Sequence, residues 1–167
     1  MLPTSEFHTD VGTGRARSGG MKPRRGRASF KRVLIVEDDE GLATMVAEVL
    51  GSRGYKISRV HDGIEAMNTI LDARPDLVVL DLALPRLSGY EVCAMVRKAQ
   101  TVRRTAIVIM SGQGDVNHRL EAFAAGADDY VTKPFDHDEL AARVEAVMLR
   151  SRERPLPTPF LGESCAA

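Results

Sequence analysis

A chain of 167 residues, 44% of them hydrophobic and with two cysteines, is sized for one domain with tails and excludes a disulfide-stapled scaffold. It holds no apolar run near the roughly 18 residues of a membrane span, and no apolar segment of a secretory signal follows its basic start, so a cytoplasmic location with reduced thiols is expected. The net charge of zero hides an asymmetry: residues 1–32 carry eight basic side chains against two acidic ones, and the remainder is acidic.

Residues 1–30 are rich in Gly, Arg, Ser, Thr and Pro and read as a disordered basic arm. Its charge allows weak contact with nucleic acid or anionic lipid, but no aromatic platform accompanies it. Order is expected over 31–150. Val33-Leu34-Ile35-Val36 is a continuous β-branched run, the pattern of a strand covered on both faces. Leu42, Met45, Val46, Val49 and Leu50 recur at helical spacing until Gly51 and Gly54. Tyr55–Val60 predicts a second strand. Asp62 and Glu65 have the spacing of a capping box that opens a helix to about Ala73.

Leu77–Leu80 predicts a third strand ending at Asp81. A loop over 82–88 leads to a helix with Val92, Met95 and Val96 on one face. Ala106–Met110 predicts a fourth strand ending at Ser111, followed by a small-residue helix near 115–125. Tyr130-Val131-Thr132 is a short fifth strand before Lys133-Pro134. Asp136 and Glu139 have capping-box spacing for a last helix lined by Leu140, Val144, Val147 and Met148. Met45, Met67, Met95 and Met148 read as core fillers. The prolines at 155, 157 and 159 predict a flexible tail over 151–167.

Five strands alternating with five helices imply an α/β fold: a parallel sheet with helices on both faces. By analogy with doubly wound folds, its order would be the flavodoxin-like 2-1-3-4-5. Ligands of such sheets bind outside the carboxyl ends of the strands. Glu37, Asp38, Asp81, Ser111 and Lys133 stand at those ends. Carboxylates crowded there must protonate or share a cation, and an all-oxygen set favours a hard divalent ion such as Mg2+. A carboxylate can accept a phosphoryl group covalently. A cation, an ammonium and a hydroxyl would then serve its three equatorial oxygens.

The stretches VLIVEDDE (33–40), DLVVLDLALPRLSG (76–89), IVIMSG (107–112) and ADDYVTKPF (127–135) together resemble the receiver domain of two-component response regulators, over about residues 31–150. The resemblance implies that Asp81 is the phosphoacceptor and a metal ligand and that Asp38 binds the metal directly. Glu37 would act through metal-bound water, and the Ala83 carbonyl would be a further ligand. Lys133 would pair with the phosphoryl group, and Ser111 with Tyr130 would form the switch. It also implies a cis Lys133–Pro134 bond, and as partner a sensor histidine kinase or a histidine phosphotransfer protein. Receivers with winged-helix outputs resemble this chain further, through Arg119 with Glu139, Asp128 with Arg143 and Asp129 with Arg150. Those pairs imply a phosphorylation-promoted homodimer through the fourth helix, fifth strand and fifth helix.

Each residue alone has a plainer reading. Asp38 could cap a helix, Asp81 begin a turn, Ser111 sit in a loop and Lys133 be a solvated lysine. Tyr130 could be a structural, partly buried side chain. Convergence at four strand ends favours the joint reading. A phosphatase forming an aspartyl-phosphate would carry a second Asp where this chain has Ala83. A flavin module would need a Ser/Thr/Gly-rich phosphate loop in place of Glu37-Asp38-Asp39. A degenerate receiver acting as a scaffold would have lost an acid, the acceptor or the lysine, and all are present.

Overall fold

The computed structural model describes residues 31–152; the expected arm over 1–30 and most of the expected tail lie outside the described residues. The elements run β1 (Arg32–Val36), α1 (Glu40–Ser52), β2 (Lys56–Val60), α2 (Gly63–Ala73), β3 (Leu77–Asp81), α3 (Gly89–Lys98), β4 (Ala106–Ser111), α4 (Val116–Ala125), β5 (Asp129–Thr132) and α5 (His137–Arg152). The last helix continues two residues past the expected boundary at 150. All strand pairs are parallel, in the order β2-β1-β3-β4-β5.

The period of two along each strand builds two apolar layers. Leu34, Val36, Val78, Leu80, Ile107 and Ile109 meet α2, α3 and α4 through Ile70, Val92, Val96 and Ala122. Val33, Ile35, Val79, Val108 and Met110 meet α1 and α5 through Val46, Leu50, Leu140 and Val144. Burial on both faces is why the central strands read as unbroken apolar runs. The register places Val36 beside Leu80, Asp81 beside Met110 and Ser111 beside Thr132. The carboxyl ends of β1, β3, β4 and β5 therefore form one rim.

Helix starts are fixed by side-chain caps. Asp39 accepts from the Leu42 amide at 2.8 Å, Asp62 from Ile64 and Glu65, and Asp115 from His118. The two expected capping boxes are only half made. Glu65 reaches the amide of His61 rather than that of its own cap, and Glu139 turns to Arg143. The complete box is Ser88 with Glu91, at the start of α3. Met95 is 43% exposed and not a core filler: Val92, Cys93 and Val96 form the buried stripe of α3. No helix among the described residues is long and apolar enough to cross a membrane.

Candidate functional site

β1 delivers Glu37 and Asp38 to the rim, β3 delivers Asp81, and the turn after β5 delivers Lys133. Oxygens of Glu37, Asp38 and Asp81 all lie within 4.8 Å of one another. Glu37 and Asp81 are buried, at 1% and 4% exposure, while Asp38 is exposed. Lys133 Nζ lies 2.6 Å from Glu37 Oε2 and 3.1 Å from Asp81 Oδ1. The approach of α3 to this strand end requires Gly89, where a Cβ would stand 2.2 Å from the Asp81 carbonyl oxygen. The Lys133–Pro134 peptide is cis.

Burial raises the Glu37 carboxyl above its ordinary value; the Lys133 hydrogen bond opposes that rise, and the Asp81 charge adds to it. Burial alone would lower the Lys133 ammonium, but the Glu37 hydrogen bond and the neighbouring carboxylates leave it raised. One ammonium facing three carboxylates leaves a negative surplus. Every donor is oxygen, and the set is open to solvent at Asp38. These residues fit a hard divalent ion of the Mg2+ kind, which Asp38 and Asp81 could hold with Glu37 beside them. Ala83 lies exposed in the adjoining loop, two residues after Asp81.

Ser111 is buried at 2% exposure, and its hydroxyl accepts from the Gln113 amide at 3.2 Å. Its carbonyl accepts from the Lys133 amide at 2.7 Å, which ties the ends of β4 and β5 together. Tyr130 is turned inward, 5% exposed, and its hydroxyl donates to the Gln113 carbonyl. Arg119 covers the ring, 5.8 Å from its centroid, and donates to the Gly114 carbonyl. Gly114 itself packs close to Thr132.

Several residues expected on the dimer face have partners within the chain. Asp128 accepts from Arg97 at 2.9 Å and from the Ile107 amide at 2.8 Å. Arg143 pairs within its own chain, with Asp129 at 3.2 Å and Glu139 at 3.0 Å. The Glu139 hydrogen bond, with the charges of both acids, outweighs partial burial and raises the Arg143 guanidinium. Arg119, Glu139, Asp129 and Arg143 line one surface cavity of about 510 Å³ with Tyr130 and Phe123. Arg150 is exposed near the end of α5. Exposed Val116, Leu120 and Phe123 extend this face along α4.

Sequence reasoning missed two structural groups. Arg97 donates to the carbonyls of Gly126, Arg103 and Thr105 as well as to Asp128. Arg86 forms an ion pair with Asp62. Neither involves a periodic pattern, and only the Asp62 cap was signalled locally.

A doubly wound sheet with an acidic, lysine-bearing pocket at its carboxyl rim is the architecture of a receiver. Residues 33–145 match the response regulator receiver domain, and the chain belongs to that family. It is 39% identical over 134 residues to the transcriptional regulatory protein TcrA of Mycobacterium tuberculosis, covering 80% of this chain and 51% of TcrA. It is 35% identical over 124 residues to the DNA-binding dual master transcriptional regulator RpaA of Synechocystis, covering 74% of this chain and 52% of RpaA. The chain thus spans about half the length of the curated relatives it matches. The receiver domain of the Francisella response regulator 1452 superposes with a TM-score of 0.68 at 31% identity, covering 72% of this chain and 98% of that one.

Proposed function

We propose that this protein is a phosphorylation-dependent signalling switch whose Asp81 accepts a phosphoryl group from a phosphohistidine of a sensor histidine kinase or histidine phosphotransfer protein. The observation that carries the reading is the buried Asp81 carboxylate, 3.1 Å from the Lys133 ammonium and within 4.8 Å of two further acids. In the transfer, an Asp81 oxygen forms the new O–P bond as the N–P bond breaks, and the electron pair stays on the imidazole nitrogen. Asp38, Asp81 and the Ala83 carbonyl, with Glu37 acting through water, would hold Mg2+, which would supply positive charge against the phosphoryl oxygens. Lys133 leaves Glu37 to neutralise a second oxygen. The Ser111 hydroxyl, an acceptor toward Gln113, turns its own proton to a third.

Ala83 stands where a phosphatase would hold a general acid, so the chain modifies itself rather than turning over external substrates. Pulling Ser111 toward the phosphoryl group moves the loop over 112–115, which Tyr130 already touches through Gln113. The inward Tyr130 is thereby linked to the α4–β5–α5 face, the output surface and the seat of a phosphorylation-promoted homodimer. The names of the relatives point that output toward transcription, and a kinase partner places the switch in the cytoplasm. A degenerate scaffold is the second reading. Retention and convergence of the acceptor, both acids and the lysine weigh against it.

Acetyl phosphate with Mg2+ is expected to add one phosphoryl mass to the protein, and none to Asp81→Asn. Equal modification of that variant would overturn the assignment.

A further inference from the structure

The loop between β3 and α3 carries Ala83, and two pins hold it. At its base the Gly89 amide donates to the Leu82 carbonyl at 3.1 Å. At its apex it is pressed against the start of α2: the Gly63 amide faces the Pro85 carbonyl at 3.4 Å. A Cβ on Gly63 would stand 2.0 Å from the Leu87 carbonyl oxygen, so only glycine allows this approach.

Arg86, between those contacts, has φ +67°, in the left-handed region that arginine rarely adopts. The Leu87 amide donates back to the Pro85 carbonyl at 2.8 Å, which makes Pro85-Arg86-Leu87 a strained three-residue turn. Such strain persists only where its surroundings over-determine it. Here the guanidinium supplies the restraint. It pairs with Asp62 Oδ2, while Asp62 Oδ1 accepts from the Ile64 and Glu65 amides. One carboxylate therefore caps α2 with one oxygen and holds the loop with the other.

We propose that Asp62 and Arg86 form a positioning latch that fixes the Ala83 segment for cation binding, so that the first turn of α2 sets the Mg2+ affinity of the phosphorylation site. This rests on the reading that Ala83 contributes a carbonyl ligand. Neither latch residue touches the ion. Both act by restricting the backbone between the two pins, and the ordering cost is met on folding instead of on binding.

The test uses Arg86→Gly, which relaxes the φ and loses the ion pair, and Asp62→Asn, which keeps an oxygen to cap α2 but loses the charge. Mg2+ is titrated into the full chain by calorimetry, and the Mg2+ dependence of acetyl phosphate labelling is followed in parallel. Each variant is expected to weaken Mg2+ about tenfold. The Mg2+ concentration for half-maximal labelling should rise by the same factor, with the maximal rate unchanged at saturating ion. The double variant should be no weaker than either single one. Arg86→Lys should recover part of the loss by restoring the charge.

Wild-type affinity in Arg86→Gly and Asp62→Asn would overturn the latch while leaving the signalling reading intact. Additive losses in the double variant would also overturn it, because the two residues would then act separately. A wild-type protein that binds no Mg2+ would overturn both the latch and the reading it rests on. Should Asp62→Asn unfold, Arg86→Gly, which leaves the cap untouched, decides alone.

Discussion

Lys133 donates to Glu37 at 2.6 Å across 96 positions of sequence, joining the turn after β5 to the end of β1. The ammonium is the only positive charge set against the buried pair of Glu37 and Asp81 in the described contacts of the pocket. Deleting it leaves two carboxylates facing each other in a poorly solvated site. Lys133→Ala should therefore lose about 3 kcal/mol of folding stability without divalent ions, in the range for breaking a buried pair. Added Mg2+ should restore much of that, because an ion bound only by the folded state stabilises it. Urea denaturation with and without millimolar Mg2+ reads both effects. Equal stability of variant and parent in the absence of Mg2+ would refute the charge-balance account.

Arg97 and Arg143 make a second contrast. Arg97 pairs with the aspartate just before β5 and Arg143 with the one that opens it, but Arg97 is largely covered and also satisfies three backbone carbonyls. Arg97→Ala should cost about 3–5 kcal/mol, since it takes the guanidinium away from Asp128 and from three carbonyls. Arg143, 41% exposed, should cost within about 1 kcal/mol. Chemical denaturation of the two variants gives the comparison directly. A reversed ranking would mean that Asp128, not Asp129, is the surface acid.

The sheet was legible because burial on both faces leaves an unmistakable run, as in Val33–Val36 and Leu77–Leu80. The rim followed from the strand ends, which the parallel order brings together. What stayed hidden depends on rotamers and on fine phase. Asp128 and Asp129 are neighbours in one acidic pair, and only coordinates show that Arg97 claims the first and Arg143 the second. Met95 lies one residue off the Val92–Val96 stripe, enough to turn it outward. A capping box needs the glutamate to fold back, and Glu139 has Arg143 one turn ahead as a competing partner. Asp62 and Arg86 are 24 positions apart, on a helix cap and in a loop, where no periodicity links them.

Tyr130 tests the coupling between pocket and surface. Its hydroxyl holds the Gln113 carbonyl from below, while Arg119 covers its ring and holds Gly114. Tyr130→Phe keeps the packing and removes one hydrogen bond, worth about 1 kcal/mol net. Loop opening should then be favoured about fivefold, and amide exchange over 113–115 should accelerate by that factor. Unaltered protection there would disconnect Tyr130 from the loop.

Dimerisation makes a separate demand on the same face. Val116 and Leu120 are 67% and 61% exposed on α4, beside the charged cavity that holds Arg143 and Asp129. A second copy covering them would gain roughly 1.5–3 kcal/mol per large apolar side chain fully buried. Sedimentation should show a monomer that doubles in mass on phosphorylation, and Leu120→Asp should stay monomeric while labelling normally at Asp81. A constant mass in the labelled wild type would remove the dimer from the account.

Acid should expose the contribution of Asp62. The Glu65 amide, and then the Arg86 guanidinium, hold its carboxyl below the usual aspartate range. A group depressed in the folded state adds stability that is fully present above the unfolded value and is lost as pH falls through the folded one. Asn at this position still caps α2 but carries no charge. The stability deficit of Asp62→Asn should therefore be constant above about pH 5 and shrink steadily below about pH 4. Part of the neutral-pH deficit should also fade in 1 M salt, because Arg86 is 56% exposed and its attraction is screened, whereas the amide contacts are not. Urea titrations across that pH range, at low and high salt, separate the two parts. A deficit independent of pH would show that Asp62 acts through shape alone and that its charge does not hold Arg86.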